Sequence, residues 1–361
     1  MEIVARGCGG SGGWPEAGCR CASCLRAAGG PSRAPFSVLV DGVLELTESG
    51  VAGSGVAGWG VAGSGVAGYE VRALAGGWDV TAPDGTRLLA GARPAVPPGT
   101  ARYDAALLDL AGDPAQLGLL RGSGAVTGST LVLAMFADHR VRSEHELARR
   151  CGIWGAGLPR DGDTFTVPVP GPAGRPVAGP AERRRPWRVL VLGGARSGKS
   201  AEAELRVTAE PSVAYVATGQ VDAADTDWAA RIAAHRARRP SWWHTVETTD
   251  LAGVLREARG AVLIDSVTTW LAAVMDECGA WEGSAATAGR LAERTAGLVA
   301  AWRQASAYVV AVSDETGLGV VPETRAGRLY RDELGHLNQR LAAESDDFTV
   351  VMAGRLLATR D

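Results

Sequence analysis

Leu190-Val-Leu-Gly-Gly-Ala-Arg-Ser-Gly-Lys-Ser200 joins an apolar, β-branched run to a helix-forming run. The run predicts a buried strand, and the spacing Gly193-x-x-x-x-Gly198-Lys199-Ser200 is typical of a phosphate-binding loop. Glycines in such a loop let successive backbone N–H groups and a helix N-terminus point at one anion. The pattern predicts a nucleoside triphosphate with Lys199 at its β- and γ-phosphates and Ser200 at Mg²⁺. A Gly-rich turn without a ligand is the alternative, which the strand-to-helix context disfavours.

Apolar strands alternate with amphipathic helices from this loop to the end of the sequence. The alternation predicts an α/β fold, namely a P-loop NTPase-like, mostly parallel sheet with helices on both faces and ligands at the carboxyl ends of the strands. The predicted strands are Val189–Leu192, Val213–Ala217, Ala261–Asp265, Tyr308–Ser313 and Phe348–Ala353. The predicted helices are Lys199–Arg206, Asp227–Arg238, Asp250–Ala258, Ser266–Met275, Ser284–Ala305 and Glu323–Ala343.

The size and charge of the chain describe an ordinary globular protein. Its 361 residues suffice for two domains, and a net charge of −3 with 21% charged residues does not indicate nucleic acid or an anionic membrane surface as a partner. No apolar run approaches the roughly 18 residues of a membrane span, and the first residues lack the pattern of a signal peptide. We therefore expect a cytoplasmic protein with no membrane span and no nucleic-acid partner.

Two further segments of the second half carry residues suited to phosphate chemistry. Asp265 ends an apolar strand, so it can bind Mg²⁺ with Ser200, although capping the next helix is an alternative role. His235 lies in a predicted helix near several arginines. Neutral imidazole can attack phosphorus while guanidinium groups stabilise negative charge. Judged from these residues alone, such a histidine is more often a surface or packing residue than a nucleophile.

The second half resembles the adenosylcobinamide kinase/adenosylcobinamide-phosphate guanylyltransferase family, bifunctional enzymes of cobalamin nucleotide-loop assembly. Asp314 stands where that family usually has asparagine, and Thr316 stands where it usually has valine. The resemblance is carried by blocks in the family's order, namely Gly193 to Ser200, Tyr215-Val-Ala-Thr-Gly219, Arg231-Ile-x-x-His235, Trp243-x-Thr-Val-Glu247, Leu263 to Trp270, Val312 to Glu323 and Arg331 to Gln339.

The resemblance implies that GTP transfers GMP to His235 as a covalent intermediate, with Lys199 serving the phosphates. It implies ATP or GTP with Mg²⁺ as reactants, adenosylcobinamide and its phosphate as acceptors and, by analogy, a homo-oligomer. A nucleotide-binding kinase or a regulatory protein without guanylyl transfer remains the alternative. The nucleotide-binding residues that it implies are Gly193, Gly194, Ala195, Arg196, Ser197, Gly198, Lys199, Ser200, Ala217, Thr218, Gly219, Arg238, Arg239, Pro240, Ser241, Glu247 and Asp265.

Cys19, Cys21 and Cys24 place three thiols within six residues of the first half. Thiolates at this spacing can bind one Zn²⁺, and clustered cysteines in a cytosolic chain favour metal over disulfides. Unliganded, reduced cysteines are the alternative. Tetrahedral zinc needs a fourth ligand, for which the candidates are Cys8, His139, His145 and Cys151.

The segment Gly7 to Cys24 resembles the start of metallo-β-lactamase-fold phosphodiesterases, in which Cys-x-Cys-x-x-Cys holds a structural zinc. That resemblance implies His139 as the fourth zinc ligand. The family's His-x-His-x-Asp-His motif is missing, and His139 and His145 are the two histidines of this half, so we expect no dinuclear hydrolase site. The other segments that resemble this fold are Ser37 to Gly42, Thr130 to His139, Ser143 to Arg150 and Pro159 to Phe165.

These patterns predict a truncated metallo-β-lactamase-like domain at 1–166 and a P-loop kinase/guanylyltransferase domain at 187–361. A Pro-rich segment at 167–186 predicts a solvated linker. Glycine recurs in a five-residue repeat at 50–70, which makes ordering costly in entropy and predicts a flexible or weakly β-structured insert. Between the repeat and the linker, Tyr103 to Ala111 predicts a strand, and Pro114 to Gly122 predicts a short helix.

Overall fold

The computed structural model describes residues 1–53, 68–168, 187–219, 239–282 and 284–357. The chain divides into two compact units, unit 1 with residues 1–183 and 209–211 and unit 2 with residues 184–208 and 212–361. Most of the predicted linker at 167–186 and repeat insert at 50–70, and all of the predicted helix Asp227–Arg238, lie outside the described residues. No helix in the described ranges is both long enough and apolar enough to cross a membrane.

The described residues of unit 1 form two five-stranded sheets. Their strand orders are β10-β1-β2-β3-β4 and β5-β6-β7-β8-β9, and β7, β8 and β9 pair in parallel. The strands are β1 (Glu2–Gly7), β2 (Ser37–Val40), β3 (Leu44–Thr47), β4 (Val51–Gly53), β5 (Glu70–Leu74), β6 (Gly77–Thr81), β7 (Arg87–Gly91), β8 (Ala105–Leu108), β9 (Leu131–Ala134) and β10 (Thr164–Thr166). Side chains of both sheets, including Ile3, Leu46, Val80 and Leu107, share one hydrophobic core.

The helices of unit 1 are α1 (Ala22–Ala27), α2 (Ala115–Gly122) and α3 (Glu144–Trp154). Helix α3 extends beyond the predicted end at Arg150 and stops where Gly155 takes a left-handed φ of 66°. The predicted strand from Tyr103 to Ala111 is limited to β8. Strand β4 comprises the first three residues of the repeat, so the insert begins as paired β-structure.

Unit 2 contains one seven-stranded sheet with the order β13-β12-β14-β15-β11-β16-β17. Six of its strands run parallel, and β17 pairs antiparallel with β16 at one edge. The strands are β11 (Trp187–Gly193), β12 (Val213–Ala217), β13 (His244–Glu247), β14 (Ala261–Asp265), β15 (Tyr308–Asp314), β16 (Asp347–Met352) and β17 (Arg355–Leu357). The helices are α4 (Lys199–Val207), α5 (Leu251–Glu257), α6 (Val267–Cys278), α7 (Ala285–Gln304) and α8 (Arg325–Ala343).

Helices cover both faces of this sheet, as the alternating sequence pattern predicts. One face buries Leu190, Val262 and Val309 against α5, α6, α7 and α8. The other face buries Val191 and Val310 against α4. A parallel sheet that is buried on both sides requires near-continuous apolar strands, which the sequence supplies.

Several predicted boundaries are wrong for a common reason. Asp250, Ser266 and Ser284 precede α5, α6 and α7 as N-caps, each accepting a hydrogen bond from a backbone N–H group of the first turn.

Strand β13 is missing from the prediction because its residues lie at a sheet edge and are mostly exposed, so no apolar run marks it. Strand β17, also missed, is a three-residue edge strand.

Candidate functional site

The phosphate-binding loop joins β11 to α4 and requires glycine where it begins, at Gly193, and where it ends, at Gly198. A Cβ atom at Gly193 would overlap the Ser197 side chain and lie 2.6 Å from the carbonyl oxygen of Val351. Gly198 caps α4 with a φ of 97°, a conformation that glycine adopts without steric cost. Arg196 also has a left-handed φ, of 59°, although it is not glycine. The side chains of Ala195 and Arg196 are exposed.

Two neighbouring elements hold this loop in place. The N–H of Glu315, directly after β15, donates to the carbonyl oxygen of Gly193 at 3.3 Å. The N–H of Gly354, in the turn between β16 and β17, donates to the carbonyl oxygen of Ser197 at 2.7 Å. The loop is therefore fixed by backbone contacts from both of the strands that flank β11.

Lys199 directs its ammonium group to two acceptors within the protein. Its Nζ atom lies 2.7 Å from Oδ1 of Asp314 and 3.3 Å from the carbonyl oxygen of Gly194. The Lys199 side chain is 11% exposed and that of Asp314 is 25% exposed, so solvent screens this ion pair only in part. The sequence did not predict this contact, since no local pattern links Asp314 to Lys199.

Ser200 and Asp265 meet at the candidate magnesium position. Their side-chain oxygens, Oγ and Oδ1, are 3.5 Å apart. A hydroxyl and a carboxylate are the oxygen ligands that Mg²⁺ prefers, so these residues fit the ion. The alternative role of Asp265 as a helix cap is wrong, because Ser266 occupies the N-cap position of α6.

Tyr215 supports Asp265 from β12, a contact that the sequence prediction missed. Its hydroxyl donates a hydrogen bond to Oδ2 of Asp265 at 2.8 Å. Burial, and secondly the charge of Asp265, raise the pKa of Tyr215 well above its usual value, so this hydroxyl stays protonated and remains a donor. The guanidinium of Arg239 lies over the Tyr215 ring, 3.2 Å from its centroid.

Other predicted nucleotide-binding residues lie at or next to strand ends along the same edge. Ala217 is in register with Asp265 on one side and with Glu247 on the other. The buried Thr218 hydroxyl donates to the carbonyl oxygen of Ser266 at 2.6 Å and accepts from the N–H of Ser266 at 3.1 Å. Thr218 therefore uses its hydroxyl to fix the turn after β14.

Some of the remaining predicted nucleotide-binding residues lie outside the described residues. Gly219 directly precedes the undescribed segment 220–238, and Arg239 directly follows it. The carbonyl oxygen of Pro240 accepts from the N–H of Trp243 at 3.1 Å, and Ser241 is exposed. His235 and Arg238 lie outside the described residues.

A separate cluster lies in unit 1. Cys19, Cys21, Cys24 and His139 each offer one ligand atom, and these four atoms lie within 4.8 Å of one another. Among the described residues this Cys₃His cluster is the one group of three or more histidine, cysteine or acidic residues with such a geometry. Zn–S bonds of about 2.3 Å in a tetrahedron need sulfur atoms roughly 3.8 Å apart, so small movements would suit zinc.

Hydrogen bonds and burial shift the pKa values of the thiols in the Cys₃His cluster. The backbone N–H of Cys24 donates to Sγ of Cys21 at 3.4 Å and lowers the pKa of Cys21 to about 7. Burial raises the pKa of Cys24 to about 11. Nδ1 of His139 lies 3.9 Å from Sγ of Cys24 and 3.0 Å from Oε2 of Glu16. The other candidate fourth ligands, Cys8, His145 and Cys151, do not belong to this cluster.

Acidic residues near the ends of β8 and β9 are engaged by arginine. The guanidinium of Arg140 bonds to Oδ2 of Asp109 at 2.7 Å and to both carboxylate oxygens of Asp138 at 2.8 Å. Burial raises the pKa of Asp109, and the Arg140 contact acts in the opposite direction. These carboxylates therefore form an internal ion pair network with Arg140.

Comparison with known proteins decides the family. Residues 189–359 match the family model described as cobinamide kinase / cobinamide phosphate guanyltransferase. The bifunctional adenosylcobalamin biosynthesis protein CobU of Salmonella typhimurium is 38% identical over 181 residues, which cover 96% of that protein and 46% of this chain. The chain belongs to this family.

Two more relatives of this cobinamide kinase/guanyltransferase family match a similar share of the chain. CobU of Escherichia coli is 38% identical over 176 residues, covering 96% of it and 46% of this chain. CobP of Pseudomonas aeruginosa is 42% identical over 175 residues, covering 94% of it and 46% of this chain. The flagellar accessory protein FlaH of Methanocaldococcus jannaschii matches with a TM-score of 0.26 and 11% identity over 48% of this chain and 75% of that one, too weak a likeness to support any conclusion.

Proposed function

We propose that unit 2 carries out both reactions of its family at the phosphate-binding loop. It would phosphorylate adenosylcobinamide and then transfer GMP from GTP to the resulting phosphate, as an enzyme of cobalamin biosynthesis. The observation that carries this proposal is the convergence of Lys199, Ser200 and Asp265, whose side chains come from two separate segments to one edge of the sheet.

The kinase step requires positioning and charge stabilisation more than covalent help from the protein. The acceptor hydroxyl oxygen attacks the γ-phosphorus of ATP or GTP, the bond to the β-phosphate oxygen breaks, and the hydroxyl proton is lost. Backbone N–H groups of the loop and the Lys199 ammonium would bind the phosphates. Mg²⁺, held by Ser200 and Asp265, would neutralise part of the phosphate charge.

The guanylyl step uses His235 as a nucleophile. A neutral imidazole nitrogen attacks the α-phosphorus of GTP, and pyrophosphate leaves as the N–P bond forms. A phosphate oxygen of adenosylcobinamide phosphate then attacks the same phosphorus and releases the histidine. The product is adenosylcobinamide-GDP. Arg238 and Arg239 would stabilise the negative charge. Ala217 to Gly219 would line the base and ribose, and Glu247 would complete the GTP site.

A labelling experiment tests the guanylyl step. Incubation with α-labelled GTP and Mg²⁺ should leave label on the denatured protein that is lost in acid and stable in alkali, as expected for a phosphoramidate. A His235→Asn variant should carry no label. His244→Asn is the matched control, because His244 is an exposed histidine of the same unit, and it should label as the wild type does.

Product analysis with adenosylcobinamide separates the remaining alternatives. Formation of adenosylcobinamide phosphate and adenosylcobinamide-GDP supports the bifunctional enzyme. Phosphate without the GDP product, together with unlabelled protein, would indicate a kinase that lacks guanylyl transfer. Nucleotide binding without turnover of the corrinoid would indicate a regulatory protein.

We further propose that unit 1 is a metallo-β-lactamase-like domain with one structural Zn²⁺ on the Cys₃His cluster. Two sheets around a shared core and the mutual proximity of three thiols and one imidazole support this proposal. Zinc with four protein ligands has no open position for a substrate, so its role would be to join the segment 19–24 to His139.

Metal analysis tests the zinc site. Protein purified without chelators should contain one zinc per chain, and Cys21→Ser should lower that content. Cys151→Ser changes a buried cysteine of the same unit outside the cluster, and it should leave the zinc content unchanged. Zinc-free wild-type protein, or equal zinc in the Cys21→Ser variant, would contradict the assignment.

A further inference from the structure

The ion pair between Lys199 and Asp314 has no place in the reactions above. We propose that Asp314 is a positioning residue that holds the Lys199 ammonium when the site contains no nucleotide, and that it thereby weakens binding of the triphosphate. This inference rests on the proposed function, because it requires Lys199 to bind phosphates.

Asp314 is held rigidly, so its carboxylate stays near the loop. It is the last residue of β15 and pairs with Gly193, the last residue of β11. Its N–H donates to the hydroxyl of Thr268 on α6 at 2.8 Å. Its carbonyl oxygen accepts from Nδ2 of Asn338 on α8 at 3.0 Å. Contacts with β11, α6 and α8 therefore fix the backbone of Asp314. A ligand that displaces the Lys199 ammonium comes close to the Asp314 carboxylate.

The charges around the loop explain why this contact opposes nucleotide binding. The Asp314 carboxylate has one salt bridge, to Lys199 at 2.7 Å, within the part of the chain that the structure describes. An incoming phosphate must draw the ammonium away from Asp314 or share it, and in either case two anionic groups come close together. The partial burial of both side chains strengthens their attraction and the later repulsion relative to water.

Asp265 provides the contrast, because two hydroxyl groups of the site contact its carboxylate. Oδ1 lies near Ser200 and Oδ2 accepts from Tyr215. A cation that arrives with the nucleotide is attracted to Asp265. The two acids therefore have opposite effects, since Asp265 supports a bound magnesium nucleotide and Asp314 competes with the phosphates for Lys199.

Asp314→Asn tests this role with the full-length chain. Asparagine keeps the shape and the backbone contacts but removes the charge, so the Kd for GTP should fall by roughly three- to tenfold, with and without Mg²⁺. The KM for GTP should fall in the same way while kcat does not rise. Glu344→Gln is the control, because it also removes one carboxylate of a salt bridge in unit 2, that with Arg303 at 2.6 Å. It should leave the Kd unchanged.

The possible results separate this inference from the proposed function. Tighter binding by Asp314→Asn supports the inference, since loss of a merely structural contact would not increase affinity. An equal or higher Kd in that variant, at an unchanged melting temperature, would overturn it. Wild-type protein that binds no GTP at all would instead overturn the proposed function, and this inference with it.

Discussion

Asp265 contacts two hydroxyl groups, and each has a distinct consequence. The Ser200 hydroxyl belongs to the phosphate-binding loop, so its contact links the candidate magnesium position to that loop. The Tyr215 hydroxyl instead orients the carboxylate from β12. Partners of this kind hold a metal-binding carboxylate in one rotamer and tune its affinity.

Removing that second hydroxyl should weaken magnesium binding selectively. We expect Tyr215→Phe to raise the Mg²⁺ concentration needed for half-maximal activity about tenfold, while GTP binding without Mg²⁺ stays the same. Titration of activity with Mg²⁺ measures the effect. Tyr308→Phe is the control, because Tyr308 is another buried tyrosine of unit 2, and its hydroxyl donates to the backbone of Arg206. An unchanged Mg²⁺ requirement in Tyr215→Phe would show that the contact is dispensable.

Local spacing predicted the residues of the site better than it predicted their contacts. Lys199 and Ser200 follow from a contiguous motif. The contact of Asp314 with Lys199 depends on β15 lying next to β11, which no local pattern reveals. Tyr215 was missed for the same reason, since an apolar strand residue looks like core until its hydroxyl is seen to meet Asp265. The grouping of Cys19, Cys21 and Cys24 with His139 came from a resemblance, because spacing alone left four candidate fourth ligands.

Among elements, the phosphate-binding loop has a strict steric requirement at Gly193. Gly193→Ala should destabilise the protein by about 1–3 kcal/mol and weaken GTP binding, because the added methyl group meets Ser197 and the backbone of Val351. Gly194→Ala is the control within the same loop, since nothing lies within 4 Å of its added Cβ atom. Thermal unfolding without nucleotide measures the difference, and equal melting temperatures for the two variants would contradict the steric argument.

The start of α6 offers a second test at the level of the element. Ser266 and Thr269 form a capping box, and Ser266 is buried next to Thr218. Ser266→Ala should therefore lower the free energy of unfolding by about 1–2 kcal/mol. Ser284→Ala removes the exposed N-cap of α7 and should lower the free energy of unfolding by a smaller amount. Chemical denaturation of both variants gives the comparison, and a larger loss in Ser284→Ala would rule out a special role for the buried cap.

Elements with strong periodicity were predictable, and those at edges were not. Strands β12 and β14 were predicted at their observed bounds, because both are buried apolar runs. Strands β13 and β17 depend on pairing with a neighbour for their existence. Most helix ends were misplaced by one or a few residues, although the start of α4 and the end of α8 were predicted as observed. Helix starts are hard to place because an N-cap residue has the same chemistry as a first-turn residue but an extended backbone.

For the whole molecule, the match to complete relatives has a direct experimental consequence. Relatives of this family align over 94–96% of their length with less than half of this chain. A fragment of residues 184–361 should therefore bind GTP and acquire the acid-labile label without most of unit 1. Labelling of the purified fragment measures this. A folded fragment that cannot be labelled would assign part of the guanylyl reaction to unit 1.

The hydrogen bond from the N–H of Gly354 to the carbonyl oxygen of Ser197 joins two residues that are separated by almost the whole sequence of unit 2. During synthesis on the ribosome, the phosphate-binding loop is made long before the hairpin that supports it. A nascent chain therefore lacks this support of the phosphate-binding loop until Gly354 has emerged from the exit tunnel. An affinity tag fused closely behind Leu357 would lie near the support of the loop despite its distance in sequence.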